Sequence, residues 1–223
     1  MRGFDNLSLN RNLLFSLPMF EGTGSATVQD VAAPHHPVTQ THAPAWTQIS
    51  PSGLWVMDFD GTHPDWLEAS AASTTDLNFL GGDFSGLVWV YQTIAGNGYV
   101  LARGLTNTDG WYFTAGELYF RTNQVGAYTQ VSSSAISLSV WHLIGFSRLG
   151  ALAFLYVDGR WVATGTGIQA PITSARKLHI GISDNEVAGY ISGSLWNPRV
   201  WGRSLSAAEH KLIFDSERRL FGV

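Results

Sequence analysis

The chain has 223 residues, of which 45% are hydrophobic and 13% are charged, and its net charge is −4. The low charge excludes an acidic or basic disordered tail, and the acidic balance excludes the basic surface of a nucleic-acid-binding protein. Cysteine is absent, which excludes disulfides, thiolate metal sites and a cysteine nucleophile. Twenty-four glycines and 13% aromatic residues favour an all-β protein with many turns.

The N-terminal sequence lacks the basic, apolar and small-residue segments of a signal peptide, and no apolar run approaches the ~20 residues of a membrane span. We therefore predict no membrane span and see no signal peptide. Residues 1–11 are mostly polar and are predicted to form an N-terminal arm. Because no linker divides the chain, residues 1–223 are interpreted as a single domain.

Strands separated by turns are predicted along almost the whole chain. Residues 22–51, rich in Thr, Pro and His, are predicted to form a long irregular excursion after the first strand. Residues 53–59 alternate between two faces, and the apolar run 84–91 fits a strand that is covered on both faces. The predicted strands are 13–17, 53–59, 84–91, 99–104, 111–113, 118–121, 141–147, 152–157, 161–163, 178–182 and 191–201.

Local signals predict two hairpins and one helix. Asp158-Gly159 suits a type I′ turn, and Ala115-Gly116 indicates a second hairpin. Ser206 and Glu209 have capping-box spacing, which predicts a terminal helix over residues 206–217. The apolar Leu220 and Phe221 beyond it have two interpretations: they dock on a partner in an assembly, or they fold back on the parent domain. A dozen strands and one helix imply two packed antiparallel sheets.

Several short motifs resemble those of one family in order and spacing: they lie at residues 20–24, 59–62, 82–90, 141–142, 155–159 and 199–209. On these motifs the chain resembles the laminin-G-like, or concanavalin A-like, jelly-roll domains. The resemblance implies a two-sheet antiparallel jelly-roll sandwich with one short C-terminal helix. Trp196 and Asn197 stand where the family commonly has an acidic pair, and Pro198 predicts an edge or a bulge.

Sugar binding requires an aromatic platform beside hydrogen-bonding groups, because a pyranose has an apolar face and a polar rim. Segments 62–66 and 107–112 have this composition, and the third candidate is segment 183–186 with Tyr190 a few residues on. The predicted ligand-binding residues are Asp65, Trp66, Asp109, Trp111, Asp184 and Asn185. The alternative interpretation of each aromatic residue is core packing.

No cofactor and no metal ligand set is predicted. The family often binds calcium, so the resemblance leaves a structural calcium open, and the candidate oxygen ligands are Glu21, Asp60, Asp65 and the Asp184-Asn185-Glu186 cluster. The alternative role of these side chains is to cap turns. His35, His36 and His42 lie in the predicted excursion and are interpreted as solvent-facing loop histidines.

The chain is predicted not to be an enzyme. Retaining glycoside hydrolases need two carboxylates about 5 Å apart, and the glucanases of this fold carry a Glu-x-Asp motif on one strand. No glutamate here has an aspartate two positions later. The predicted function is a non-catalytic binding, adhesion or assembly module: a decoration or tail-adhesion protein of a phage virion with lectin-like glycan binding. The alternatives are a secreted or cell-surface lectin and a polysaccharide hydrolase. The predicted partners are a glycan or virion proteins, the predicted state is a homo-oligomer, and the predicted location is a virion or the extracellular space.

Overall fold

The computed structural model describes residues 8–62, 65–96 and 98–223. The strands are β1 Leu13–Ser16, β2 Thr27–Gln29, β3 Pro37–Thr41, β4 Ala45–Ile49, β5 Leu54–Asp60, β6 Trp66–Ala69, β7 Phe84–Gln92, β8 Tyr99–Leu105, β9 Asp109–Thr114, β10 Tyr119–Gln124, β11 Ala127–Ser132, β12 Trp141–Leu149, β13 Leu152–Val157, β14 Arg160–Thr166, β15 Leu178–Ile180 and β16 Ser192–Trp201. Helix α1 spans Ala207–Glu217.

The strands form two antiparallel sheets of eight strands each. The first sheet has the order β14-β13-β12-β7-β16-β5-β4, and β1 pairs with β16 beside this path. The second sheet has the order β11-β10-β9-β8-β15-β6-β3-β2. Neighbours in each sheet are frequently distant in sequence, and the result is the predicted jelly-roll sandwich.

The core lies between the two sheets and is rich in aromatic rings. Phe146 of the first sheet stacks on Phe120 of the second, with ring centroids 4.0 Å apart. Trp111 contacts Phe84 and Phe146 in the same layer. Successive strand residues point to opposite faces, so Tyr112, next to Trp111, points away from the core.

Both predicted hairpins are confirmed. Strands β13 and β14 pair on either side of Asp158 and Gly159, whose φ angles of 52° and 71° suit a type I′ turn. Strands β9 and β10 also pair directly. Strand β7 is buried almost throughout, as its apolar sequence predicts, because it is central in the first sheet and α1 packs over its outer side.

The prediction of an irregular excursion over residues 22–51 is wrong, because strands β2, β3 and β4 lie within it. They are strands of three to five residues, and β2 and β4 lie at the edges of their sheets. Strands this short, interrupted by Thr and Gln, lack the apolar alternation on which the prediction relied. The prediction also missed β6 and β11. Pro198 lies at a bulge, as predicted, but β16 is central and pairs with both β5 and β7.

Helix α1 begins with the predicted capping box: Ser206 accepts a hydrogen bond from the Glu209 amide, and the Glu209 side chain accepts one from the Ser206 amide. The helix covers the outer face of the first sheet. The tail after it folds back, since the Phe221 ring stacks on Trp89 with centroids 4.1 Å apart. The docking interpretation is therefore wrong for Phe221, whereas Leu220 is 37% exposed.

The outer face of the second sheet has no helix over it within the described part of the chain. Residues 1–7 of the predicted N-terminal arm lie outside the described residues, and residues 8–10 form a single 3₁₀ turn. The described ranges contain no helix with the length and apolarity needed to cross a membrane.

Candidate functional site

A continuous row of side chains crosses the outer face of the second sheet. Strand pairing places these residues directly opposite one another across seven strands: Gln130, Arg121, Tyr112, Ala102, His179, Glu68 and Thr39. Directly opposed side chains on one face of a sheet lie within contact distance. This cross-strand row therefore brings aromatic, basic and acidic groups together from distant parts of the chain.

Tyr112 of the row lies among three further tyrosines, Tyr99, Tyr119 and Tyr128. The rings of Tyr99 and Tyr112 have centroids 5.0 Å apart, and Tyr119 meets Tyr112 edge-on at 6.0 Å. The Arg121 guanidinium lies over the Tyr128 ring, 3.8 Å from its centroid. Burial raises the pKa of Tyr99 far above its usual range, and the neighbouring tyrosines raise it further, so its phenol stays neutral.

A cavity of about 270 Å³ opens beside these tyrosines. It is lined by Tyr99, Tyr112, Thr106, Asp184, Asn185 and Gly189, among others. We call it the Tyr99 cavity. It combines half-buried aromatic surface with hydroxyl, amide and carboxylate groups, which is the combination that small-molecule sites use to hold and orient a ligand.

The segment from Ser183 to Gly189, which we call the 183–189 loop, forms one wall of this cavity. Gly189 has a φ of 73°, and a Cβ there would lie 2.5 Å from the Tyr99 ring, so glycine is required for the loop to approach the ring. Asn185 Oδ1 accepts hydrogen bonds from Ser183 Oγ and, at 3.3 Å, from the Val187 amide. Neither of these two bonds uses the N–H groups of the Asn185 side chain.

An arginine clamps the loop to the sheet. Arg176 donates from Nε to Asp109 Oδ1 at 3.0 Å and from its terminal nitrogen to Asp184 Oδ2. Burial lowers the pKa of Arg176, but the hydrogen bonds and charges of Asp184 and Asp109 outweigh it and raise the pKa overall. The resulting ion-pair network fixes the position of Asp184 at the edge of the cavity.

His179 and Glu68 of the row contact two further charged residues, Lys177 and Glu186. We call these four residues the His179 cluster. His179 Nε2 lies 3.0 Å from Glu186 Oε1, and Lys177 Nζ lies 3.0 Å from Glu68 Oε2. Burial raises the pKa of Glu68, but hydrogen bonds from Trp66 and Lys177 outweigh it and hold the pKa below its ordinary value. The cluster therefore places two carboxylates around one buried imidazole.

The structure brings four of the six predicted site residues to one side of the molecule. Asp184 and Asn185 line the Tyr99 cavity, and Asp109 is joined to Asp184 through Arg176. Trp66 donates from Nε1 to Glu68 Oε2 at 2.9 Å, next to the cavity network.

Neither Trp66 nor Trp111 forms the sugar-binding platform that was predicted, because both rings are buried. Trp111 is 1% exposed because it faces the opposite sheet, and its Nε1 donates to the Leu77 carbonyl. Trp66 is 5% exposed because His42 and His179 pack against its ring edge-on. Asp65 is buried beside Asp60, away from the cavity lining, and His63 and Pro64 of the same predicted segment lie outside the described residues.

The candidate calcium ligands have structural roles. Glu21 accepts from the Gln29 amide at 2.7 Å, and Asp60 accepts from the amide and hydroxyl of Thr62. The Asp60 arrangement is turn chemistry, whereas the Glu21 bond joins residues eight positions apart. Glu186 belongs to the His179 cluster instead.

The interpretation of His36 as a solvent-facing loop histidine is wrong. It is 3% exposed, with Nδ1 2.6 Å from Asp30 Oδ2 and Nε2 3.0 Å from Asp76 Oδ1. Asp76 is 40 positions away along the chain, so no local pattern indicates this acidic partner. His35 and His42 are exposed, as predicted.

Sequence reasoning missed Tyr99, Tyr112 and His179 as site residues. A signal for Tyr112 was present, because it alternates with the core residues Trp111 and Phe113 and must point outward. His179 has one acidic partner nearby in sequence, Glu186, seven positions on, but Glu68 is opposed to it only through the pairing of β6 with β15.

The sequence matches the model of the concanavalin A-like lectin/glucanases superfamily over residues 67–209. The chain belongs to this family. Its members include both lectins and glucanases, so membership leaves the choice between binding and hydrolysis to the site. None of the curated proteins matches the chain.

Solved toxin binding domains have a similar fold. The binding domain of Paraclostridial Mosquitocidal Protein 1 is 14% identical, with a TM-score of 0.71, and the match covers 93% of this chain and 53% of that one. The binding domain of botulinum neurotoxin serotype C1 is 11% identical, with a TM-score of 0.69 and coverage of 93% and 52%. This chain thus spans about half the length of those structures, and at this identity the likeness concerns the fold alone.

Proposed function

We propose that the chain is a non-catalytic, lectin-like binding module that holds a glycan in the Tyr99 cavity. The observation that carries the proposal is the cavity itself, in which the Tyr99 ring faces Asp184, Asn185 and Thr106 across about 270 Å³. A pyranose stacks its apolar face on an aromatic ring and directs its hydroxyls toward such polar groups. The neutral phenol of Tyr99 adds a hydrogen-bond donor.

The structural neighbours are consistent with this proposal. One of them is the binding domain of botulinum neurotoxin DC, solved in complex with SialylT, at 12% identity and a TM-score of 0.68. Cell entry of botulinum neurotoxin type C, another neighbour, depends on interaction with two ganglioside molecules. These facts concern those proteins and support glycan binding here only through the shared fold.

The charge of the cavity favours a neutral sugar. Asp184 is the charged residue among the described residues that line the cavity, and its carboxylate accepts hydrogen bonds from sugar hydroxyls. The same carboxylate repels an acidic sugar, although Arg176 offsets part of that repulsion. We expect neutral hexopyranoses to bind more tightly than sialylated glycans.

A glycan array followed by calorimetry with the best neutral glycan tests the proposal. Tyr99→Ala should weaken binding by about tenfold or more, because an aromatic anchor is removed. Asn185→Ala changes an exposed loop residue and should also weaken binding without changing the fold. Trp161→Ala is the matched control, since Trp161 is 62% exposed on the first sheet, and it should leave the affinity unchanged.

Two results would refute the glycan proposal. One is an array without any hit. The other is a hit whose affinity is the same in Tyr99→Ala, Asn185→Ala and the parent chain.

One observation favours the competing hydrolase function. Carboxylate oxygens of Glu68 and Glu186 lie within 4.8 Å of each other, although the sequence has them 118 positions apart. Lys177 Nζ contacts both, at 3.0 and 3.4 Å. Against the effect of burial, hydrogen bonds from Trp66 and Lys177 hold the pKa of Glu68 below its ordinary value, which disfavours Glu68 as the general acid of a retaining glycosidase, so we favour binding over hydrolysis.

Release of reducing sugar from β-glucans, lost in Glu68→Gln, would establish the hydrolase instead. The remaining predictions from the sequence stay predictions: a single domain over residues 1–223, a homo-oligomer, and a virion or extracellular location with virion proteins as partners. Co-purification of the chain with intact phage particles would test the virion assignment.

A further inference from the structure

Three side chains of the His179 cluster form a compact set of metal-ligand atoms. Donor atoms of Glu68, His179 and Glu186 all lie within 4.8 Å of one another. Glu68 and His179 are directly opposed on β6 and β15, and Glu186 reaches them from the 183–189 loop. Two ligands are therefore held by the sheet and one by the loop.

The buried face of His179 gives an independent reason to expect a ligand. Its side chain is 2% exposed, and its Nδ1 atom has no hydrogen-bond partner among the described residues. Asp184 Oδ1 lies 3.9 Å from Nδ1, and Glu186 Oε1 lies 3.0 Å from Nε2. A neutral ring that donates from Nε2 to Glu186 therefore directs the lone pair of Nδ1 toward a carboxylate.

A metal ion on Nε2 would remove this mismatch. The ring proton would then sit on Nδ1 and face Asp184 Oδ1, which lies 3.9 Å away. Ligating histidines commonly direct their other nitrogen toward a carboxylate. Trp66 Nε1 donates to Glu68 Oε2 at 2.9 Å and orients that carboxylate in the same way. Both supporting contacts come from residues outside the ligand set.

Lys177 already places a positive charge between the two carboxylates. Its Nζ lies 3.0 Å from Glu68 Oε2 and 3.4 Å from Glu186 Oε1. Its side chain is 44% exposed, so it can turn into solvent when another cation arrives. Lys177 is therefore positioned as an internal competitor of a metal ion.

We propose that Glu68, His179 and Glu186 bind a divalent transition-metal ion of the zinc class, which displaces the Lys177 ammonium. One imidazole nitrogen with two carboxylate oxygens is a donor set that Zn²⁺ accepts, whereas calcium prefers oxygen ligands throughout. Three protein ligands leave a fourth position for water or a ligand atom. The site is separate from the Tyr99 cavity, and its test does not involve a glycan.

Calorimetric titration of the chelator-treated full chain with zinc chloride tests the proposal. We expect one saturable equivalent of zinc and much weaker binding of calcium chloride. Glu186→Gln, on the loop, should weaken zinc binding by about tenfold or more, and His179→Gln should do the same. Lys177→Met should strengthen it by about tenfold, because the competing cation is gone. Glu117→Gln changes an exposed glutamate outside the cluster and is the matched control.

The response of Lys177→Met separates this site from adventitious binding at the exposed His35 and His42. The proposal is overturned if neither the parent chain nor Lys177→Met binds zinc saturably. It is also overturned if zinc binds equally well to Glu186→Gln, His179→Gln and the parent chain. A thermal melt of each variant without metal shows whether it is folded, and Glu186→Gln provides the decisive comparison if His179→Gln is not.

Discussion

His36 and His210 are both almost fully buried, with 3% and 1% of their surfaces exposed, but their surroundings differ. His36 lies between the carboxylates of Asp30 and Asp76. His210, on helix α1, stacks on the Tyr156 ring with centroids 3.7 Å apart, and its Nε2 lies 2.8 Å from the Ser147 hydroxyl.

These surroundings move the two pKa values in opposite directions. Burial lowers the pKa of His36, but the hydrogen bonds and charges of Asp30 and Asp76 outweigh it and raise the pKa to about 9. Burial lowers the pKa of His210 to about 3, and the nearby Glu209 charge does not offset it. Two histidines with similarly low exposure are thus charged in one region and neutral in the other. His36 is bonded to two carboxylates, whereas His210 is more deeply buried and lies near the Arg199 charge, which lowers its pKa further.

The His36 region should be the more sensitive of the two to substitution. His36→Leu leaves the fully buried Asp30 carboxylate without its cation, and we expect a loss of about 3–5 kcal/mol in the free energy of unfolding. Urea denaturation measures it. His35→Asn is the control, since asparagine tolerates the positive φ of this exposed residue, and it should cost far less. Equal losses of unfolding free energy in His36→Leu and His35→Asn would contradict this prediction.

Alkaline pH should reduce the stability that His36 contributes to the fold. A folded-state pKa raised from 6.5 to about 9 contributes stability that is complete below pH 6.5 and is lost as the pH rises through 9. The shift corresponds to about 3 kcal/mol. Urea unfolding at pH 6.5 and 9.5 should show this loss in the parent chain and a much smaller one in His36→Leu. A parallel decline in both proteins would assign the loss to other groups.

Mild acid should lower the free energy of unfolding through His210 instead. The unfolded state takes up a proton near pH 6.5, whereas the folded His210 stays neutral down to about pH 3, so stability falls as the pH drops below 6.5. Between pH 6.5 and 5 we expect a loss of about 2 kcal/mol. His210→Leu should flatten this part of the stability profile. An unchanged slope in the variant would show that His210 does not titrate on unfolding.

The smallest effect should come from the start of the helix that carries His210. Ser206→Ala removes the hydroxyl that accepts from the Glu209 amide and should cost about 1 kcal/mol. Ser134→Ala, in an exposed loop, is the control and should leave the free energy of unfolding unchanged. A cost near zero would mean that packing of α1 on the first sheet, and not the cap, sets the stability of this region.

Part of the candidate site could be predicted from local composition. Asp184 and Asn185 were found because polar residues cluster in a turn, and the structure places both at the Tyr99 cavity. Trp66 and Trp111 were selected as aromatic platforms beside such polar residues, but both are buried. Composition does not say which way a side chain points, and the facing sheet decides that.

Features that depend on a few neighbouring residues could be predicted from the sequence alone. The Asp158-Gly159 turn and the Ser206 capping box each need only a local backbone conformation and hydrogen bonds between residues close in the chain. Together with the alternation of residues 53–59 and the apolar run 84–91, they indicated an all-β protein with one terminal helix.

Which side chains meet depends on long-range packing. The cross-strand row takes its members from seven strands, and the bonded pair of His36 and Asp76 joins a loop to a 3₁₀ turn at Thr75–Leu77. These contacts depend on the order and register of the strands, which long-range packing selects and no short segment encodes. For that reason the Tyr99 cavity and the His179 cluster became visible only in the assembled sandwich.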